Sequence, residues 1–197
     1  MKQNILVIST LLATTLFING CAVNQKLALT YKVPPTVSQT KEYPKVKVIV
    51  NDKRSYILNG EKPNSYIGTY RAGLGNPYDV NTKGLVPLET IIQEDMKNEL
   101  ISLGFIKENG QKTITIDIMT WKFDAHQNAY FDYQLIINVS NQTNSNLVTS
   151  TVQDKIRIEG SAFGGGKSGV ERDLPIIYTT IIQKIVRKNS TILKALY

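Results

Sequence analysis

Three alternating strands in the second half of the chain constrain its fold most strongly. Apolar residues recur at every second position over 113–123, 130–139 and 147–159, which is the pattern of strands with one buried face. The connection at 141–146 consists of Asn, Gln, Thr and Ser, residues that favour a turn. Because the connections between the strands are short, the pattern predicts an antiparallel meander with one face against a core.

The first strand of this meander changes parity along its length. Ile116 and Ile118 follow one alternation, whereas Met119, Trp121 and Phe123 follow the other. A change of parity within a strand requires one extra residue on that strand. We therefore predict a β-bulge near Ile118.

Two amphipathic helices supply a second layer. Leu, Ile and Met recur at steps of three and four over 87–103, and Gly104 is a typical stop signal after such a helix. A second helix is predicted from about Asp173, a suitable N-cap with Pro175 in the first turn, to Lys188. Shorter elements are predicted at 46–50 and 65–70 (strands) and at 190–196 (helix). The predicted fold class is α+β, an antiparallel sheet with two amphipathic helices on one face, which makes a two-layer sandwich.

The N-terminus has the features of a secretory signal. Lys2 precedes an uncharged, mainly apolar segment at 5–18, which is shorter than the ~20 residues of a membrane-spanning helix. It leads to Ile18-Asn19-Gly20-Cys21, which contains the only cysteine of the chain. This tetrapeptide resembles the bacterial lipobox, in which the cysteine receives a lipid and the signal is cut before it. We predict a lipoprotein signal peptide at 1–20 and lipid attachment at Cys21, and the alternative is an ordinary secretory signal that ends in Cys.

The residues after Cys21 predict where the protein lies. Two or three acyl chains make a stable anchor, at ~0.8 kcal/mol per buried CH₂. Lipoproteins retained in the inner membrane usually carry Asp next, so by this resemblance Ala22 implies the outer membrane, with the domain facing the periplasm.

Residues 21–44 combine polar residues with Pro34, Pro35 and Pro44 and show no sustained period, which predicts a flexible tether. The remaining residues, 45–197, are predicted to form a single periplasmic domain.

The charge of the chain is compatible with anionic envelope components. The formal net charge is +7, and removal of a signal peptide containing Lys2 would leave +6. The expected partners are the membrane, through the lipid anchor, and envelope proteins, peptidoglycan or lipopolysaccharide, whereas nucleic acid is not expected in the periplasm. Acylation of Cys21 would leave the mature chain without a thiol, and so without a disulfide, a cysteine nucleophile or a thiolate metal site.

The sequence contains no convincing catalytic motif. Residues 161–168 (Ser-Ala-Phe-Gly-Gly-Gly-Lys-Ser) resemble a phosphate-binding loop with Ser161 in place of its first Gly. Gly169 and Pro175 predict a helix that begins later than such a loop requires, so a flexible glycine turn is the preferred interpretation. His126, the only histidine, lies in a predicted hairpin turn, and no two carboxylates are predicted to share a cleft. We therefore predict no enzymatic activity, no cofactor and no metal site.

Four residues form a possible binding surface. Tyr66, Tyr70, Arg71 and Tyr78 lie in a Gly- and Pro-rich segment that is predicted to be largely irregular. Aromatic rings beside a cation can bind sugars or lipids. The alternative is that these rings cover the core.

The whole chain resembles the YajG-like outer-membrane lipoproteins. The resemblance rests on the lipobox, on 48–54 (Val-Ile-Val-Asn-Asp-Lys-Arg) ahead of 67–69 (Ile-Gly-Thr), and on 100–105 (Leu-Ile-Ser-Leu-Gly-Phe). It implies an envelope lipoprotein with no established enzymatic role and no catalytic residues to carry over. The Gly-Gly-Gly run at 164–166 and the basic C-terminal helix depart from the family pattern.

The sequence thus favours a non-enzymatic accessory, scaffold or binding lipoprotein on the periplasmic face of the outer membrane. The alternative is a protein that handles lipid or lipopolysaccharide, similar in layout to the LptE type. An envelope hydrolase is a third hypothesis, which the single histidine and the lack of a nucleophile motif argue against.

Overall fold

The computed structural model of the chain describes residues 25–36, 44–71, 75–105, 111–161 and 164–197. The predicted signal peptide, the lipid attachment at Cys21 and the sorting residue Ala22 lie outside these residues. Across the described ranges, no helix combines the length and the apolar character needed to cross a membrane.

Strands and helices follow one another in an α+β order. The first part of the chain forms β1 (Gln25–Leu27), β2 (Val46–Asp52), α1 (Ser55–Leu58), β3 (Tyr66–Arg71), β4 (Pro77–Thr82), a 3₁₀ turn (Lys83–Leu85) and α2 (Leu88–Ser102). The second part forms β5 (Lys112–Ala125), β6 (Ala129–Asn141), β7 (Asn146–Ile158), α3 (Gly165–Ile185) and α4 (Ser190–Leu196).

The strands form one open sheet of seven strands in the order β1-β4-β3-β5-β6-β7, with β2 beside the first half of β5. The meander β5-β6-β7 and the pair β3-β4 are antiparallel, as predicted. The pairs β1-β4, β2-β5 and β3-β5 are parallel, so the sheet of the predicted α+β fold is mixed rather than antiparallel throughout. The reason is that β5 follows β2 and β3 only after long connections that include α2, and such crossovers allow parallel pairing.

The predicted bulge in β5 is confirmed. The pairing of β5 with β6 shifts register between Ile118 and Thr120. Ile118 and Trp121 are both fully buried, while Met119 between them is exposed. The extra residue thus returns the apolar positions of the strand to the core face after the parity change.

The predicted helices α2 and α3 cover one face of the sheet. Trp121 on β5 lies 5.1 Å from the ring of Phe131 on β6 and 5.9 Å from the ring of Tyr178 on α3. The helical side chains of this core are Leu88, Ile92, Met96 and Leu100 on α2, Val170, Leu174, Tyr178, Ile181, Ile182 and Ile185 on α3, and Ile192 and Leu196 on α4. The two amphipathic stripes therefore meet the apolar face of the meander in a single core, as predicted for a two-layer arrangement.

Helix α3 begins earlier than predicted, at Gly165 rather than Asp173. A Cβ on Gly166 would lie 2.8 Å from the carbonyl oxygen of Asn128, and one on Gly169 would lie 2.4 Å from that of Glu159. Only glycine lets the helix approach this backbone so closely. The glycines therefore belong to a packed helix start, which corrects the interpretation as a flexible turn.

We use the term glycine end for the edge of the domain formed by residues 125–129, 158–161 and 164–169. Here β5 and β7 end, and β6 and α3 begin. The amide of Gly166 donates to the carbonyl oxygen of His126 at 2.7 Å, which ties the helix to the β5-β6 turn. The β6-β7 hairpin lies at the opposite end, about 40 Å away along the 13 residues of β6.

Residues 25–36, which we call the docked segment, pack against the domain. In β1, Gln25 pairs with Val80 and Leu27 with Thr82. The side chains of Leu27 and Tyr31 are buried. The predicted flexible tether is thus corrected for these residues. The sequence did not indicate this because a three-residue strand is too short to show a period, and its position depends on contacts with distant parts of the chain.

Candidate functional site

The four residues of the predicted binding surface lie on the adjacent strands β3 and β4, but they do not form one exposed surface. Tyr66 and Tyr70 are buried. The Tyr66 hydroxyl forms a hydrogen bond with Thr69 Oγ1 at 2.9 Å, and the Tyr70 ring packs 5.4 Å from that of Phe123. Burial raises the pKa of the Tyr70 hydroxyl above its usual value. Tyr70 therefore packs in the core, as the alternative held, whereas Tyr66 lies outside the core cluster and lines one of the depressions on the sheet face described below.

Arg71 and Tyr78 do not complete an exposed aromatic surface either. Arg71 is exposed, but its guanidinium binds the Asp124 carboxylate through two contacts of 2.7 and 2.5 Å. The hydrogen bond from Arg71 lowers the pKa of the Asp124 carboxyl group. Tyr78 is half-buried and pairs with Tyr70 across β3 and β4. The predicted surface is thus replaced by a core contact and an ion pair.

The groups of the near phosphate-binding loop already have partners within the fold. Ser168 Oγ lies 2.6 Å from Ser161 Oγ and donates to the carbonyl oxygen of Gly165 at 3.0 Å. Lys167 Nζ donates to Gln25 Oε1 at 3.1 Å and lies 5.8 Å from the centre of the Tyr70 ring. These contacts explain the Lys and Ser of the motif as parts of a packing site at the glycine end. His126 lies in the β5-β6 turn and is exposed, as its place in the sequence predicted.

The face of the meander opposite the helices is a better candidate for a binding site than the predicted aromatic surface or the near phosphate-binding loop. The side chains on this face alternate with the buried ones along β5, β6 and β7, and α2, α3 and α4 pack on the other side. We define the open face by Thr120, Lys122, Tyr130, Asp132, Gln134, Gln153 and Lys155. Two depressions of about 500 and 390 Å³ lie on it and share Asp132 and Lys155 as lining residues.

The chemistry of the open face suits the binding of a polar surface. It carries cations, a carboxylate, amides and the phenol ring of Tyr130, a residue that is 50% exposed. Gln134 Nε2 donates across the strands to Gln153 Oε1 at 3.0 Å. These groups can form ion pairs and hydrogen bonds, and Tyr130 adds aromatic contact area. The sequence signal for this site is the polar half of the strand alternation.

A buried arginine fixes the loop beside this face. Arg54 is fully buried and donates to the Asp52 carboxylate at 2.8 and 2.5 Å. It also donates to the carbonyl oxygen of Tyr66 at 2.6 Å. Tyr56 donates to the carbonyl oxygen of Trp121 at 2.8 Å, and burial raises its pKa to about 12. Asp52 and Arg54, which end the Val-Ile-Val-Asn-Asp-Lys-Arg motif, thus hold β2, the α1 loop and β3 together.

A second buried network holds the docked segment. Glu99 on α2 is fully buried and accepts hydrogen bonds from the Tyr31 hydroxyl and from Arg187 Nε, the latter at 2.7 Å. Arg187 Nη2 also donates to Ser102 Oγ at 2.8 Å. Burial, followed by the hydrogen bond to Glu99, raises the pKa of the Tyr31 hydroxyl well above its usual value. One carboxylate therefore joins the docked segment, α2 and the chain after α3.

Comparisons with known proteins show the fold. Neither a scan against protein-family models nor a search of curated proteins finds a match. A Xanthomonas campestris protein of the DUF330 family model is similar in structure, with a TM-score of 0.56 at 12% identity, over 81% of this chain and 91% of that chain.

Two further solved structures are similar at lower scores. An uncharacterized protein has a TM-score of 0.45 at 11% identity, over 84% of this chain and 99% of that chain. A minor lipoprotein from Acinetobacter baumannii has a TM-score of 0.43 at 8% identity, over 78% of this chain and 92% of that chain. What this chain shares with the Xanthomonas protein is the α+β fold.

Proposed function

We propose that this protein is a lipid-anchored, non-enzymatic binding protein of the cell envelope, of the YajG-like kind. Its anchor is the lipid on Cys21, and Ala22 directs it to the periplasmic face of the outer membrane. The support for the anchor is the sequence of an apolar leader that ends in a lipobox with the only cysteine of the chain.

The observation that carries the binding role is the one-sided architecture. Helices α2, α3 and α4 bury one face of the sheet, while the open face keeps Lys122, Tyr130 and Lys155 exposed to solvent. Exposed charged and aromatic groups on rigid strands make a pre-organised surface for a partner.

The mixed charge of the open face favours an envelope protein as the partner. Lys122 and Lys155 line the same depression as Asp132, so the open face carries both positive and negative charge. A surface that selects lipopolysaccharide phosphates would be uniformly positive. Both depressions are lined mainly by charged residues, amides, hydroxyl groups and aromatic rings rather than by aliphatic chains. This lining favours the binding role over the LptE-type alternative, because acyl chains require an apolar tract.

Site-specific photo-crosslinking in intact envelopes tests the role of the open face. A photoreactive amino acid is placed at Gln153, on the open face, or at Ile176, an exposed residue of α3, as the matched control. We expect a discrete crosslinked protein from position 153 only, and its loss when Lys155→Glu is added. Equal products from both positions, or a product insensitive to Lys155→Glu, would contradict the proposal.

A further inference from the structure

We infer that the glycine end of the domain lies against the lipid bilayer, held there by the docked segment. This inference rests on the proposed lipidation of Cys21. It assigns the domain a fixed orientation, in which the strands of the meander rise from the membrane and the open face points sideways along it.

The first step is the length of chain between the anchor and the fold. Gln25, the first residue of β1, follows Cys21 by only four residues. Four residues span at most about 14 Å when fully extended. A tether from Cys21 to residue 44 would instead span up to about 80 Å by the same measure. Docking of residues 25–36 therefore removes most of the freedom that the sequence alone would allow.

The second step is the position of Gln25 in the fold. Gln25 pairs with Val80 on β4. Strand β4 begins three residues earlier, at Pro77, which lies at the same end of the sheet as the last residue of β3. At about 3.3 Å per residue, Gln25 lies about 10 Å from that edge. Its side chain accepts a hydrogen bond from Lys167, the third residue of α3. The chain thus enters the domain at the glycine end.

The third step is the direction of the docked segment. Gln25 contacts Lys167 near the start of α3, and the carbonyl oxygen of Thr30 accepts a hydrogen bond from Thr179 at 3.4 Å. Tyr31 then reaches the Glu99 network beyond the end of α3. The segment follows α3 away from the glycine end, so its N-terminal side, which leads to Cys21, points towards the membrane.

Two of the cations near this end, Arg71 and Lys167, already have partners in the protein. Arg71 binds Asp124 at 2.5 Å, and Lys167 lies 3.8 Å from Glu171. The orientation therefore depends on the anchor and the short connection rather than on attraction to anionic lipids. For this reason it should persist at high salt, which screens exposed charges.

Two turn glutamines at opposite ends of β6 offer a matched test. Gln127 lies in the β5-β6 turn at the glycine end, and Gln142 lies in the β6-β7 hairpin at the opposite end. Both are exposed. Because lipidation blocks the Cys21 sulfur, Gln127→Cys or Gln142→Cys introduces a single thiol for a fluorophore. The lipidated full chain is placed in vesicles of phosphatidylethanolamine and phosphatidylglycerol, and quenching by a lipid with a spin-labelled headgroup is measured.

We expect quenching at position 127 to exceed that at position 142 several-fold, with the same ratio at high salt. The double variant Leu27→Asp/Tyr31→Ala, which releases the docked segment, should bring the two values together while the domain still melts cooperatively. Equal quenching of protein that floats with the vesicles, or stronger quenching at 142, would overturn the inference alone. Protein that does not float would overturn the proposed lipid anchor and this inference together.

Discussion

The Glu99 carboxylate offers the sharpest test of how the docked segment is held. Glu99 is fully buried and binds Tyr31 from the docked segment, Arg187 from the chain after α3 and Ser102 from α2. The perturbations are Glu99→Gln, Tyr31→Phe and the double variant. Each single change keeps the size of the side chain and removes a charge or a hydroxyl group.

The contacts set the expected magnitudes. Breaking a buried ion pair by removing one partner costs about 3–5 kcal/mol. The side chain of Arg187 is 26% exposed and can still reach water, so we expect about 3 kcal/mol for Glu99→Gln. Tyr31→Phe removes one hydrogen bond to a charged group, which should cost about 2 kcal/mol. Because both changes remove the same contact, the double variant should be less destabilised than the sum by at least about 1 kcal/mol.

Urea unfolding of the full chain, followed by circular dichroism, gives the free energies of unfolding. Glu94→Gln is the matched control, since Glu94 is on the same helix, is 55% exposed and pairs with Lys97 at the surface. Its effect should stay within about 0.5 kcal/mol. A Tyr31→Phe effect as small as that of the control, or strict additivity in the double variant, would refute the reasoning.

Three further predictions concern packing and titration. Gly169→Ala should destabilise the fold by at least about 1 kcal/mol in the same urea assay, because the new Cβ would lie 2.4 Å from the carbonyl oxygen of Glu159; a neutral effect would contradict the packed helix start. Ile181→Ala should lower the free energy of unfolding by about 2–5 kcal/mol, because Ile181 is buried in the core. Lys184→Gln should lower it by less than about 0.5 kcal/mol, because the Lys184 side chain is 40% exposed, and similar values for the two variants would contradict the docking of α3. The stability that the buried tyrosines contribute should be fully present below about pH 10 and should be lost as the pH rises further, because burial raises their pKa in the folded state while unfolded tyrosines lose their protons near pH 10.0; thermal unfolding against pH checks this. The tyrosines with raised pKa values are Tyr31, Tyr56, Tyr66, Tyr70, Tyr133 and Tyr178.

The parts of the fold that the sequence predicted are those with a sustained period. The meander shows its apolar alternation at every strand, and the parity change around Met119 located the bulge within a residue. Helix α2 has its stripe and its stop at Gly104, and the observed bounds, Leu88–Ser102, lie within one residue of those predicted. In these segments the residues that the apolar period marks as buried are the residues that the fold buries.

The parts that the sequence missed depend on contacts between distant segments. Strand β1 is too short to show an alternation and exists as a partner of β4. Strand β4 begins with Pro77, and its buried residues, Val80 to Thr82, are consecutive rather than alternating. The start of α3 contains three glycines, which weaken the local helix preference. The helix forms there because it packs closely against the backbone of residues 126–128. Tyr66 and Tyr70 lie in a Gly- and Pro-rich segment that looked exposed, and their burial follows from the pairing of β3 with β4 and β5.

Mass spectrometry of the N-terminal peptide, taken from the protein as isolated from bacterial envelopes, tests the central claim most directly. The proposed lipid anchor predicts a mature chain that begins at Cys21 and carries a diacylglyceryl group on the sulfur and an acyl group on the new amino terminus. A chain that retains residues 1–20, or a Cys21 with an unmodified thiol, would contradict it.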